Sequence, residues 1–204
     1  EISCSLVGSE MCIRDRLFIG QMELKNITHP EETYLLGKVN KMYITTDGIS
    51  SLANNFNERP KSLPAPVVKL GTINFTGEIS GFFDNLVAFG KLSSSIGSIQ
   101  TDLIFGSNKD KNIAAYLRGR IASSNLRLHE LFGENNPFGE ARFDINIDTR
   151  RPVGGNFSGN IQAQVKEFDY KAYKYKDINL SGNFKKSSFD GTIHVNDPNG
   201  ELYA

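Results

Sequence analysis

Residues 142–148 read Arg142-Phe143-Asp144-Ile145-Asn146-Ile147-Asp148, and their alternation decides the fold class. Phe143, Ile145 and Ile147 share one parity; Arg142, Asp144, Asn146 and Asp148 share the other. Successive side chains of an extended chain point to opposite faces, so the run predicts a strand dry on one face and wet on the other.

The same period recurs on both sides of it. Gly71-Thr72-Ile73-Asn74-Phe75-Thr76-Gly77-Glu78-Ile79 alternates small or apolar with polar residues, and Ile99, Leu103 and Phe105 share a face. So do Ile113, Ala115, Leu117, Gly119 and Ile121, with Arg118 and Arg120 opposite. Further runs align Ile161, Ala163 and Val165, then Ile178, Leu180 and Phe184, then Phe189, Ile193 and Val195. Buried parallel strands would be apolar on both faces. The reading is therefore all-β: an elongated, curled antiparallel or meander sheet with an apolar groove and one or two short helices at its margin.

Turn signals separate the runs at Gly106–Asp110, Gly133–Pro137, Pro152–Asn156 and Asp197–Gly200, and Lys185-Lys186-Ser187-Ser188 reads as a tight hairpin. Two segments have helical spacing. Asp47–Asn57 carries Ile49, Leu52, Ala53 and Phe56 with Asp47 as N-cap, ahead of Pro60, Pro64 and Pro66. Asn125–Phe132 carries Leu128, Leu131 and Phe132, with Gly133 as its stop.

An apolar-x-Gly-x-apolar unit repeats around Gly77, Gly119, Gly159, Gly182 and Gly191. Each Gly is expected on the dry face. Gly inside a strand marks a bend, a bulge or a close approach, so its repetition predicts a sheet that curls along its length.

Composition narrows the function. Lys+Arg and Asp+Glu are 23 each in 204 residues, which argues against nucleic-acid binding by bulk charge and against disorder. No apolar run approaches the roughly 18 residues of a membrane-spanning helix. His29, His129 and His194 lack partners at metal-ligand spacing, and neither a phosphate loop nor a Gly-x-Ser-x-Gly elbow is present. No catalytic residue, metal or cofactor is expected. Tyr170-Lys171-Ala172-Tyr173-Lys174-Tyr175-Lys176 reads as a solvated edge segment, its bases offset by Glu167, Asp169 and Asp177.

Ser5–Arg16 resembles the conceptual translation of a sequencing adapter, so residues 1–16 are expected to be non-native and are set aside. Cys4 and Cys12 go with them, which excludes a disulfide framework in the rest. Residues 17–66 read as a strand and helix segment with a Pro-rich linker, and 67–204 as the repeated groove segment. The pattern stops midway at Asn199–Ala204, so the chain is expected to be an internal fragment.

A sheet with one apolar face hides it by closing into a sandwich or barrel, or keeps it as a trough for an apolar ligand. Repeated Gly-bearing strands favour the trough. From about Leu70 to Tyr203 the chain resembles the AsmA-like superfamily, most closely the TamB translocation and assembly module family. The pieces that carry the resemblance are Leu70–Gly77, Gly97-Ser98-Ile99 followed by Leu103–Phe105, Tyr173–Gly182, Phe189–Ile193 and Asp197–Leu202.

The resemblance implies a periplasmic β-taco, anchored to the inner membrane in the whole protein, that conducts phospholipids to the outer membrane. It also implies a role in outer-membrane biogenesis and protein secretion, with an outer-membrane assembly barrel as partner in some members. The expected groove lining is Ile73, Phe75, Ile79, Ile99, Leu103, Phe105, Ile113, Leu117, Ile121, Phe143, Ile145, Ile147, Ile161, Val165, Ile178, Leu180, Phe184, Phe189, Ile193, Val195 and Leu202, in contact with phospholipid acyl chains. The alternative is a closed β-sandwich used for adhesion or carbohydrate binding, with its site on loops such as Asn135-Asn136-Pro137.

Overall fold

Alternation becomes a ladder of hairpins. The computed structural model describes residues 3–13, 16–29, 32–48, 50, 68–82, 84–108, 110–133 and 136–204. The strands are β1 (Ser3–Ile13), β2 (Arg16–Lys25), β3 (Tyr34–Ile44), β4 (Ile73–Phe82), β5 (Asn85–Ser94) and β6 (Gly97–Asn108). They continue as β7 (Ile113–Arg127), β8 (Phe138–Pro152), β9 (Ser158–Tyr170), β10 (Tyr173–Lys185), β11 (Ser188–Asp197) and β12 (Gly200–Tyr203). All twelve form one sheet in chain order, each antiparallel to the next, with the two ends unpaired. The expected all-β, open, curled meander is what the chain forms.

The segment set aside at the N-terminus forms β1 against β2. An edge strand presents unpaired N–H and C=O groups to any extended chain, so this pairing makes no demand on the origin of the residues. Strand β3, from the segment separated as 17–66, pairs with β4 with one irregularity between Val39 and Met42, so the sheet crosses that boundary.

Residues 46–48 and 50 are helical; the rest of the expected Asp47–Asn57 helix, and Pro60, Pro64 and Pro66, lie outside the described residues. The N-cap is Thr45 rather than Asp47. Its Oγ1 accepts the Gly48 N–H at 3.2 Å, while Asp47 is already helical. The second helix, α1, is Leu128–Phe132, stopped by Gly133 as expected; its predicted first turn, Asn125–Arg127, instead completes β7.

Hairpin β10–β11 turns at Lys186 and Ser187 as expected. Hairpin β9–β10 turns at Lys171 and Ala172, both at positive φ (50° and 63°). That is the geometry for which Asn-Gly is favoured, and a left-handed L-residue costs about 1–2 kcal/mol. Ala172→Gly should therefore raise stability by about 1 kcal/mol in urea unfolding; an unchanged or lowered midpoint would contradict the turn geometry.

Most of the buried apolar side chains gather at one margin. Ile44 pairs with Ile73, Leu126 with Ala141, and Ile96, 1% exposed, fills the β5–β6 turn between them. The Arg127 N–H donates to Ile96 O at 2.8 Å and the Ser95 hydroxyl to Leu70 O at 3.1 Å, clasping that turn. Bulges between Val39 and Met42, between Ser123 and Leu126, and at Lys166 crease the sheet toward this margin.

Candidate functional site

The registers string the expected lining residues into rows that run across the sheet, perpendicular to the strands. One row is Phe75, Leu92, Ile99, Ser123, Phe143, Val165, Ile178, Val195, Leu202. The next is Gly77, Gly90, Thr101, Ile121, Ile145, Ala163, Leu180, Ile193. A third is Ile79, Ala88, Leu103, Gly119, Ile147, Ile161, Gly182, Gly191, and a fourth is Gly81, Leu86, Phe105, Leu117, Thr149, Gly159, Phe184, Phe189. Directly paired residues share a face, so these rows form one apolar surface. No second sheet among the described residues covers it, and its side chains are mostly half-buried.

All five repeat glycines fall in these rows, as expected. A Cβ on any of them would collide with a carbonyl oxygen of the neighbouring strand: Phe89 for Gly77, Asp102 for Gly119, Asp148 for Gly159, Asp190 for Gly182 and Ser181 for Gly191. Such close approach is what a strongly coiled sheet requires. The facing pair Gly182 and Gly191 leaves a notch that the Phe189 ring leans over.

Three hydroxyl residues interrupt the apolar rows, and each hydroxyl bonds back to the backbone. Ser123 Oγ donates to Ser98 O at 2.7 Å, Thr149 Oγ1 to Leu117 O at 3.3 Å and Thr101 Oγ1 to Gly90 O at 3.4 Å. With those groups satisfied, the surface presents methyl and methylene groups where its sequence has polar residues.

Four expectations need correction. Ile113 leaves the apolar face: the irregularity between Ile113 and Ala115 slips the register by one, pairing Ile113 with Asn108 and Pro152 on the polar-face register. A one-residue slip sends a side chain to the other face. The same pairing shows Gly106–Asn108, read as a turn, to be strand. Ile73 and Phe75, 8% and 6% exposed, belong to the closed margin and offer a ligand almost no surface.

The fourth concerns Tyr170–Lys176, which is largely solvated as expected but forms the β9–β10 hairpin instead of an edge. With Lys166 bulged and Asp177 at φ 47°, Phe168 pairs with Ala141 and Tyr175 with Phe168, on the apolar side. Phe132, Phe138, Phe168 and Tyr170 then form a cluster with ring centroids 5.6–6.5 Å apart, and Tyr173 packs on Tyr175 at 4.6 Å. These aromatics line the side of the apolar rows at the strand ends of β8–β10, next to Ala141 of the closed margin. Leu86, Ala88 and Leu92 of β5 also belong to the surface and were missed. Their alternation is masked because Val87 and Phe89 make the opposite face of β5 apolar too.

The opposite face carries ion pairs. Arg118 Nε lies 2.9 Å from Asp148 Oδ2, and Arg120 Nε donates to Asp144 Oδ1 at 2.7 Å. The Arg120 hydrogen bond holds the Asp144 carboxyl below the ordinary carboxylate range, against a smaller upward push from partial burial. A carboxyl lowered in the folded state stabilises above its unfolded pKa and loses that contribution as the pH falls through the folded one. Stability should therefore decline below about pH 4, and Arg120→Gln should shrink this acid-dependent part, measured by urea unfolding across acidic pH. The pair is exposed, so the increment should be small and salt-sensitive.

No helix among the described residues is long and apolar enough to cross a membrane. No family model matches the chain, and no curated protein or solved structure compared with it does either.

Proposed function

We propose that the apolar rows are a path for the acyl chains of phospholipids, in a protein that passes lipid between the inner and outer membranes and so supports outer-membrane biogenesis. The observation that carries this reading is the continuity of the rows from β4 to β11, with every intervening hydroxyl turned onto backbone. Burying a CH2 is worth about 0.8 kcal/mol, so an acyl chain is held against water. An even lining gives it no deep minimum and lets it slide. The strands that carry the rows, β4–β11, extend roughly 34 Å at about 4.8 Å spacing, part of an envelope crossing.

No covalent chemistry is called for; the reading is one of binding and transfer. A closed-sandwich module would need a second sheet over the apolar face, and the twelve described strands all belong to one open sheet.

Site-specific photo-crosslinkers test the proposal. Placed at Leu103, Ile145 and Ile193 they should capture phospholipid in diderm cells, and placed at Asp102, Asn146 and Thr192, one residue away on the other face, they should not. Equal capture on both faces, or none at the apolar positions, overturns it.

A further inference from the structure

The polar face is not uniform. Over β3–β7 it carries Lys38, Glu78, Lys91, Asp102, Arg118 and Arg120, interspersed with the apolar Leu36, Val87, Phe89 and Ile104. Over β9 and β10 it changes. Asn160 faces Asn183, Gln162 faces Ser181 and Gln164 faces Asn179, three consecutive cross-strand pairs without a charge. Asn is a poor strand residue, and a run of amides inside two long strands works against local propensity. Positions that break a local rule are where function is expected.

These amides are not used on one another. Among the described residues, the Asn160–Asn183 contact at 3.5 Å is the only side-chain hydrogen bond within the six. The rest offer donors and acceptors to whatever lies on the face. They border a shallow cavity of about 580 Å³. Its one full charge pair, Arg120 with Asp144, is self-neutralising.

The row through Gln164 and Asn179 continues to His194 and Tyr203. The Tyr203 ring stacks on His194 at 4.0 Å and is 72% exposed. An array of uncharged donors and acceptors beside an open aromatic ring matches one ligand chemistry. Hydroxyls exchange hydrogen bonds with amides, and the C–H face of a sugar ring stacks on the aromatic. The carboxylates of Asp190, across from Asn183, and of Glu201, beside His194, border the array and disfavour an anionic polymer.

We infer that this face of β9–β12 binds a neutral glycan strand. The site lies on the side opposite the apolar rows and does not depend on the lipid reading.

The test is affinity electrophoresis of the full chain in native gels containing hydroxyethylcellulose, glycogen or glycol chitin in turn, with dextran sulfate as the charged comparison. At least one neutral polymer should retard the chain, and which one does separates β-glucan, α-glucan and amino-sugar sources. Gln162→Ala/Gln164→Ala/Asn179→Ala should weaken that retardation roughly tenfold or more, and Tyr203→Ala should weaken it as well. Lys38→Gln, on the charged half, should leave it unchanged. If the triple variant loses its circular-dichroism signature, Gln164→Ala and Tyr203→Ala singly take its place. Retardation by dextran sulfate alone, by none of the polymers, or undiminished in the variants overturns the inference.

Discussion

Gly119→Ala should destabilise the protein by about 3 kcal/mol or more, among the largest effects expected of a single added methyl group in this sheet. Two terms combine. Gly119 has φ 132°, a region that L-residues rarely adopt, and its Cβ would collide with the Asp102 carbonyl and crowd Leu103 Cα. The colliding atoms are backbone, so no rotamer change relieves them. Two other glycines separate the terms. Gly154 has φ 70° but open space around it, so Gly154→Ala should cost about 1–2 kcal/mol from conformation alone. Gly200 has open space and no positive φ, so Gly200→Ala should fall within about 0.5 kcal/mol of the parent. Urea midpoints at constant slope give all three. A Gly119→Ala loss no greater than that of Gly154→Ala would mean that β6 and β7 do not approach as closely as described.

Ile145→Glu should abolish lipid binding while leaving the fold recognisable. Ile145 sits mid-strand in β8 between Ile121 and Ala163, half-buried and under no second layer. A carboxylate there keeps contact with water in the empty protein but must lose it when an acyl chain lies across the row. Placing a charge in a hydrocarbon environment costs roughly 2.5–3.5 kcal/mol, about two orders of magnitude in affinity. Asn146→Glu, one residue along on the polar face, is the matched control. The measurement is phospholipid retained by the purified chain after detergent-free washing. Equal retention by the two variants would remove the apolar rows from consideration as the lipid path.

How far these features could be read in advance depends on what stood opposite each apolar residue. In β8 and β9 every second position is Arg, Asp, Asn, Gln or Lys, so Phe143, Ile145, Ile147, Ile161 and Val165 announce their face. In β5 the polar-face positions are Val87 and Phe89, and the period disappears although Leu86 and Leu92 are as well aligned as the rest.

Bulges defeat parity counting, because the extra residue is defined only by a partner strand. That is why Ile113 left the face it was assigned to, and why Phe168 and Tyr175 reached one they were not. The burial of Ile73 and Phe75 depends on a turn twenty residues further on, around Ile96, which no local pattern encodes. The repeated glycines were legible because the apolar residues two positions to either side of each share its face, a relation the local sequence displays.

Every strand of this sheet pairs only with the strands before and after it in the chain. Duplicating or deleting one hairpin would therefore change the molecule's reach by about 10 Å while leaving all other pairings as they are. Such an architecture lets genetic change tune span in fixed increments, as rungs are added to a ladder, so a distance between two fixed surfaces can be matched without redesigning a core.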